Sequence, residues 1–237
     1  MVDKMSKNKS NYKISIMGDS ISTYEGYNPP NYHVYYTLPM AKANGLESVD
    51  DTWWKQVIDG LGGELCANNS YSGSFVVGNG VKPACSQQRC EGLRFENNTP
   101  DIILIYMGTN DRGFWVEIGL DEPDNSLKFY GAYRLMLKQI KENYPLAKIV
   151  CATVSVPYVK GSEDFENSKN FMQDVINYNE AIKTAVKEEG CLLADIARSS
   201  ERYETLDGCH PTKKGHETLA KLWLEKLSLI FSLYTES

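Results

Sequence analysis

A three-layer α/β/α fold, built on a central parallel sheet of about five strands, is what the sequence predicts. Three observations carry that expectation. Short, almost continuously apolar runs alternate with longer amphipathic ones, as a parallel sheet covered on both faces requires. The alternation persists along the chain with no internal repeat, low-complexity stretch or dividing linker, which points to one domain rather than two. Polar clusters fall directly after the apolar runs, where open α/β sheets collect their ligands.

Residues 1–11, polar and rich in lysine, have no apolar segment behind them and read as a flexible lead-in rather than a signal peptide. The single domain is then expected over 12–237. KISIM (13–17) is the first strand and ends in the polar GDS. A long loop over 22–51 follows, with five tyrosines, a histidine and the double proline of NPPNYHVYY. TWWKQVIDGL (52–61) has helical spacing, and GELCA (63–67) is the second strand, followed by NNSYSGS. DIILIYM (101–107) is the third strand and runs into GTND. A second long loop spans 108–125. The helix over 126–144 stops at Pro145, AKIVCATV (147–154) is the fourth strand, and the helix over 171–189 stops at Gly190. CLLADI (191–196) is the fifth strand, and a last helix is expected over 213–234. Loops this long on the ligand face of a compact domain serve as lids or pocket walls.

The formal net charge of −6 argues against nucleic acid or an anionic membrane as partner, since both call for a basic surface. Six cysteines at 66, 85, 90, 151, 191 and 209 are scattered, several in apolar surroundings, which favours reduced thiols and a cytoplasmic location. Cys85 and Cys90 are near enough in sequence to pair or to share a metal, but no second Cys/His pair stands at zinc spacing. No P-loop or G-x-G-x-x-G fingerprint occurs and HETLA lacks a zincin's second histidine, so neither a cofactor nor a metal is expected.

A general base of imidazole type has three candidates, His33, His210 and His216. His210 follows Asp207 by three residues in LDGCHPTKKGHE. That spacing can set the carboxylate against Nδ1–H, fix the tautomer and leave Nε2 free to take a proton. Alone, it reads better as an Asp-capped turn beside a solvated histidine. His216 falls in the last helix and reads as structural. Ser20, behind Asp19 at the end of the first strand, is by itself either a cap or a nucleophile. At a strand-to-helix switch its own N–H would face developing negative charge. Gly73 and Asn110, each just after a strand, supply the two further donor types an oxyanion hole needs. Asp19 and Asp111 are expected to bond local backbone N–H groups, and a metal built on Asp19, Asp111 and Asp207 has little support. Cys209 sits beside His210 but points elsewhere on the turn.

MGDS, NNSYSG, GTND and DGCHP, in this order over residues 17–211, resemble the four blocks of the SGNH (GDSL-type) hydrolase superfamily. The resemblance implies a flavodoxin-like SGNH hydrolase fold, a triad of Ser20, Asp207 and His210, and oxyanion donors from the Ser20 N–H, the Gly73 N–H and the Asn110 side chain. The G-x-S-x-G elbow of α/β-hydrolases is absent.

The expected function is therefore a serine esterase acting on a small acyl or acetyl ester, including carbohydrate-linked esters, through an acyl-serine. Tyr24, His33 and Trp115 are the candidate substrate-pocket residues. An imidazole base also predicts activity that declines as pH falls through roughly 6–7. Two alternatives remain at this level. One is a catalytically silent module that binds a sugar or nucleotide at the same strand ends, and the other is a thioesterase or acyltransferase on the same scaffold. The sequence leaves the oligomeric state open.

Overall fold

The computed structural model describes residues 11–162, 169–199 and 201–235. Of the expected lead-in, residues 1–10 lie outside this range. Strand β1 (Lys13–Gly18) opens the chain. Helices α1 (Leu38–Ala43) and α2 (Trp53–Gly60) then lead to β2 (Glu64–Asn68). Helix α3 (Gln87–Glu91) precedes β3 (Ile102–Tyr106), and the short α4 (Thr109–Gly113) follows it at once. Next come α5 (Phe129–Asn143), β4 (Lys148–Ala152), β5 (Pro157–Val159) and α6 (Lys169–Glu188). Strands β6 (Leu192–Ala194) and β7 (Tyr203–Thr205) and the long α7 (Lys213–Thr235) complete it.

The main sheet is five-stranded and parallel, in the order β2-β1-β3-β4-β6. This is the flavodoxin-like order, and its direction of winding reverses between β1 and β3. A ligand crevice is expected outside the carboxyl ends of those two strands. Ile14 pairs with Ile102 and Gly18 with Tyr106, so β1 and β3 end level with one another.

The period-2 geometry of β3 divides the core. Ile103 and Ile105 face one layer with Phe129, Tyr133 and Leu137 of α5 and Ile182 of α6. Ile102, Leu104 and Tyr106 face the other, with Trp53 and Trp54 of α2 and Trp223 of α7. Trp53 and Trp223 stack with centroids 5.2 Å apart. The Trp53 indole N–H donates to Ser22 Oγ (3.2 Å), which ties this layer to the end of β1.

All five expected strands form. CLLADI gives only three strand residues before its chain turns into a 3-10 segment at Ile196–Arg198. The helix expected over 126–144 starts at Phe129, because Asn125 holds the preceding turn. Its side chain accepts from Leu127 N–H and its carbonyl from Lys128 N–H. Unexpected from sequence is a second, two-stranded parallel sheet of β5 and β7, whose three-residue strands are too short to show periodicity. This small sheet matters because the chain leaves β7 directly into the turn that carries Asp207 and His210. The six cysteines are free thiols. Cys85 and Cys90 are buried, and Cys90 Sγ donates to the Ala84 carbonyl. Among the described residues, no helix is long and apolar enough to cross a membrane.

Candidate active site

The site begins where β1 stops. Gly18 leaves no room for a side chain, since a Cβ there would stand 2.4 Å from Ser22 Oγ. The chain therefore folds tightly into a 3-10 turn, Ser20–Ser22, whose cap is Asp19. Asp19 Oδ1 accepts from Ile21 N–H at 3.0 Å, the local bond expected of it. The turn is three residues long, so the strand-to-helix switch considered for Ser20 is a single turn. A single turn carries little macrodipole, so any help to an anion must come from discrete N–H groups.

Ser20 is 4% exposed, and its Oγ lies 2.9 Å from Nε2 of His210, a residue 190 positions away. His210 Nδ1 lies 2.7 Å from Asp207 Oδ2. An ionised carboxylate only accepts, so Nδ1 carries the proton and Nε2 is left to accept from the serine hydroxyl. Asp207 Oδ1 takes the backbone N–H groups of Cys209 (2.9 Å) and His210 (2.8 Å). Partial burial pushes this carboxyl up, but the His210 ring and the two N–H groups outweigh it and hold it well below the usual range. The group stays charged.

The turn itself is anchored from behind. Thr205 Oγ1 donates to Tyr158 O across the small sheet and accepts from Gly208 N–H. Tyr203 OH donates to Cys209 O. Burial, reinforced by the charges of Asp19 and Asp207, pushes the Cys209 thiol up to about 12, leaving it neutral and unreactive beside the histidine.

The two candidate oxyanion donors lie after β2 and β3. Gly73 has φ +79°, a conformation that favours glycine, and a Cβ there would meet nothing within 4 Å. Asn110 Nδ2 donates to Ser74 O at 2.8 Å. That bond uses one amide hydrogen, fixes the side chain against the Gly73 loop and leaves the second hydrogen for another acceptor.

Two buried ions hold these loops. Asp111 does not bond locally as expected. Its carboxylate reaches back 35 residues to the N–H groups of Val76 (2.9 Å) and Val77 (3.2 Å), locking the two loops together. Burial pushes it up to about 6 against those bonds. Arg89, fully buried, donates to Gly18 O (3.2 Å), Asn69 O (2.8 Å), Ser74 Oγ (2.8 Å) and Lys82 O (2.8 Å). Burial lowers it to about 10, so it remains a cation at neutral pH. One guanidinium thus staples the end of β1 to the loop that carries Gly73. Sequence reasoning missed it, because an arginine in CSQQRC looks like any other surface charge.

Of the three expected pocket residues, His33 and Trp115 are at the surface and Tyr24 is not. Tyr24 is buried in the core layer that holds Ile21 and Trp54, because the loop turns its ring inward, edge-on to Tyr27, which meets Trp54 of α2. His33 is exposed and its carbonyl accepts from Ser72 N–H, next to Gly73. Trp115 is 76% exposed at φ +50°, beside the exposed Phe114, just past α4. A further site residue, Tyr35, lies in the tyrosine-rich loop and was not singled out by its sequence. Its ring stacks on His210 and its hydroxyl donates to Asp207 Oδ2 at 3.1 Å.

His216 is buried, and its Nδ1 accepts from Trp53 N–H at the start of α2. Burial pushes it down to about 3, which keeps it neutral and structural. Among the described residues, no three His, Cys, Asp or Glu side chains come together as a metal site. Asp19, Asp111 and Asp207 are each committed to N–H donors instead.

Residues 12–184 match the family model of the GDSL-like lipase/acylhydrolases. The match ends before Asp207 and His210, which the fold joins to Ser20. A multidomain esterase of Ruminococcus flavefaciens is 33% identical over 134 residues, 54% of this chain. Those residues are 16% of that protein's length. A crystal structure described as a GDSL-like lipase from Bacteroides uniformis superposes with a TM-score of 0.70 at 27% identity, over 92% of this chain and 96% of that one. Another so described, from Bacteroides ovatus, gives 0.70 at 24% identity over 94% and 99%.

Proposed function

The chain belongs to the GDSL-like lipase/acylhydrolase family, and on that premise we propose that it is a serine hydrolase that cleaves a carboxylic ester through an acyl-serine on Ser20. The observation that carries this reading is the continuous chain Ser20 Oγ–His210 Nε2, His210 Nδ1–Asp207 Oδ2, with both links at hydrogen-bond distance.

In this reading Ser20 Oγ attacks the ester carbonyl as Nε2 of His210 removes its proton. Asp207, held ionised, stabilises the imidazolium. The carbonyl oxygen becomes an oxyanion, which the Ser20 N–H, the Gly73 N–H and the free hydrogen of the Asn110 amide receive. Collapse breaks the acyl–oxygen bond, and the alcohol leaves with the proton from Nε2. Water then attacks the acyl-serine, gives its proton to His210, and the acid departs as Ser20 Oγ is reprotonated.

For substrate we propose a small acyl or acetyl ester, including esters on carbohydrates. Two features support that choice. The exposed Phe114 and Trp115 beside the Asn110 segment offer ring faces of the kind that sugars stack on. The glycine at 73 leaves open space rather than an apolar wall next to the proposed oxyanion donors.

A panel of acetylated sugars and p-nitrophenyl esters of rising chain length, run with wild type and Ser20→Ala, tests both parts. Wild type is expected to favour acetyl and to lose activity beyond butyryl, and Ser20→Ala to fall to background. Retained turnover in Ser20→Ala would remove the serine mechanism. A preference for long acyl chains would remove the substrate class.

A further inference from the structure

The tyrosine-rich loop makes a contact that neither the four sequence blocks nor the hydrolytic steps above require. Tyr35 lies against His210 with ring centroids 3.4 Å apart and planes 8° from parallel. Two neutral aromatic rings avoid such close face-to-face overlap and prefer an offset or edge-on arrangement. A ring that carries positive charge in the transition state is instead attracted to an aromatic face. The phenol of the same residue donates to Asp207 Oδ2, the oxygen that already accepts from His210 Nδ1. Asp207 is 43% exposed. Water would compete for that oxygen if the phenol did not occupy it.

Tyr35 is also tied to the nucleophile. Its N–H donates to Thr23 Oγ1 (2.9 Å), and Thr23 Oγ1 donates to the carbonyl of Ser20 (3.0 Å). Its neighbour Tyr36 is buried and donates from its hydroxyl to Pro211 O (2.7 Å), one residue past His210. The Tyr35–Tyr36 pair therefore grips both sides of the 190-residue gap between nucleophile and base.

We propose that Tyr35 is a positioning residue of the hydrolytic site, whose ring holds the His210 imidazole aimed at Ser20 and favours its protonated form, while its hydroxyl orients Asp207 and moderates the pull of that carboxylate on the base. The proposal rests on the reading of Ser20, His210 and Asp207 given above. Its two parts act on His210 in opposite directions. Removing the hydroxyl leaves Asp207 a stronger acceptor and makes the imidazole more basic. Removing the ring takes away a face that stabilises the imidazolium and makes the imidazole less basic.

Other groups near His210 stay in place in both variants. Asp19, in the strand-end turn, acts on His210 electrostatically and is pushed up to about 6 by burial. His216 of α7 is neutral, Cys209 is a neutral thiol, and Arg112 of α4 bears on Cys209. None is altered, so none can move the profile two ways.

The test compares wild type, Tyr35→Phe, Tyr35→Leu and Ser20→Ala on p-nitrophenyl acetate across the acid limb of kcat/KM, with thermal melts to confirm folding. Tyr35→Phe should keep kcat within about threefold and move the acid limb up by roughly half a pH unit. Tyr35→Leu loses ring and hydroxyl together, and should lose about 10- to 100-fold in kcat and place the limb below that of Tyr35→Phe, with KM nearly unchanged. A Tyr35→Phe limb that coincides with wild type, or a Tyr35→Leu limb that coincides with or lies above that of Tyr35→Phe, would overturn the proposal. Background activity in Ser20→Ala assigns such a failure to Tyr35 alone. Full activity in Ser20→Ala would overturn the catalytic reading and this proposal with it.

Discussion

The two halves of the site are held by opposite means. The Ser20–His210–Asp207 half stands at the solvent boundary, where Asp207 is partly exposed, Tyr35 covers His210 and the buried Tyr36 holds the next residue, Pro211. The Gly73–Asn110 half is fixed from inside by two buried ions, Arg89 and Asp111, whose bonds go to backbone or to a buried serine. In the proposed mechanism the contrast follows from what each half must do. A proton relay needs polar groups that reach water and a leaving alcohol. Oxyanion donors need a frame that does not move when charge develops, and a buried ion with several bonds to the loops supplies that rigidity.

The inner half should be the more expensive one to damage. Arg89→Met leaves three buried acceptors and the half-buried Lys82 carbonyl without their donor, and Asp19 without its nearby cation. We expect a loss of about 3–5 kcal/mol in urea unfolding. A loss below about 1 kcal/mol would mean that the guanidinium is an ornament on the loops rather than their staple. Asn110→Ala removes one proposed oxyanion donor together with the bond to Ser74 O. It should lower kcat by about 10²–10³-fold and leave KM nearly unchanged, while the fold loses only about 1 kcal/mol. If kcat is unchanged, the Asn110 amide serves the Gly73 loop alone. The Tyr35 variants probe the outer half, where smaller effects on stability and graded effects on the pH profile are expected.

The same contrast governs how much could be read from sequence. Strands β1, β3 and β4 were legible because they are buried on both faces and spell near-continuous apolar runs, and the half-buried β2 and β6 because shorter apolar runs mark them. Ser20, Gly73 and Asn110 drew notice in the sequence because each lies just after a strand of a sheet whose carboxyl ends gather ligands. His210 could be paired with Asp207 because the two share one turn. What holds them was not legible. Arg89 meets Gly18 across 71 residues, and Tyr35 meets Asp207 across 172. A side chain aimed across the fold leaves no mark on local periodicity. Asp111 was misread for the same reason, because aspartate normally bonds its own turn and this one bonds a loop 35 residues away. Tyr24 and Tyr35 lie in one run of tyrosines, and only the path of the loop sends one into the core and the other onto the histidine.

The central claim is that Ser20 is a nucleophile activated by His210, and a fluorophosphonate probe addresses it most directly. The folded wild-type protein should gain one covalent adduct by intact mass, mapped to Ser20 by peptide sequencing. His210→Ala should label far more slowly. No adduct on Ser20, or labelling of equal speed without His210, would contradict the account.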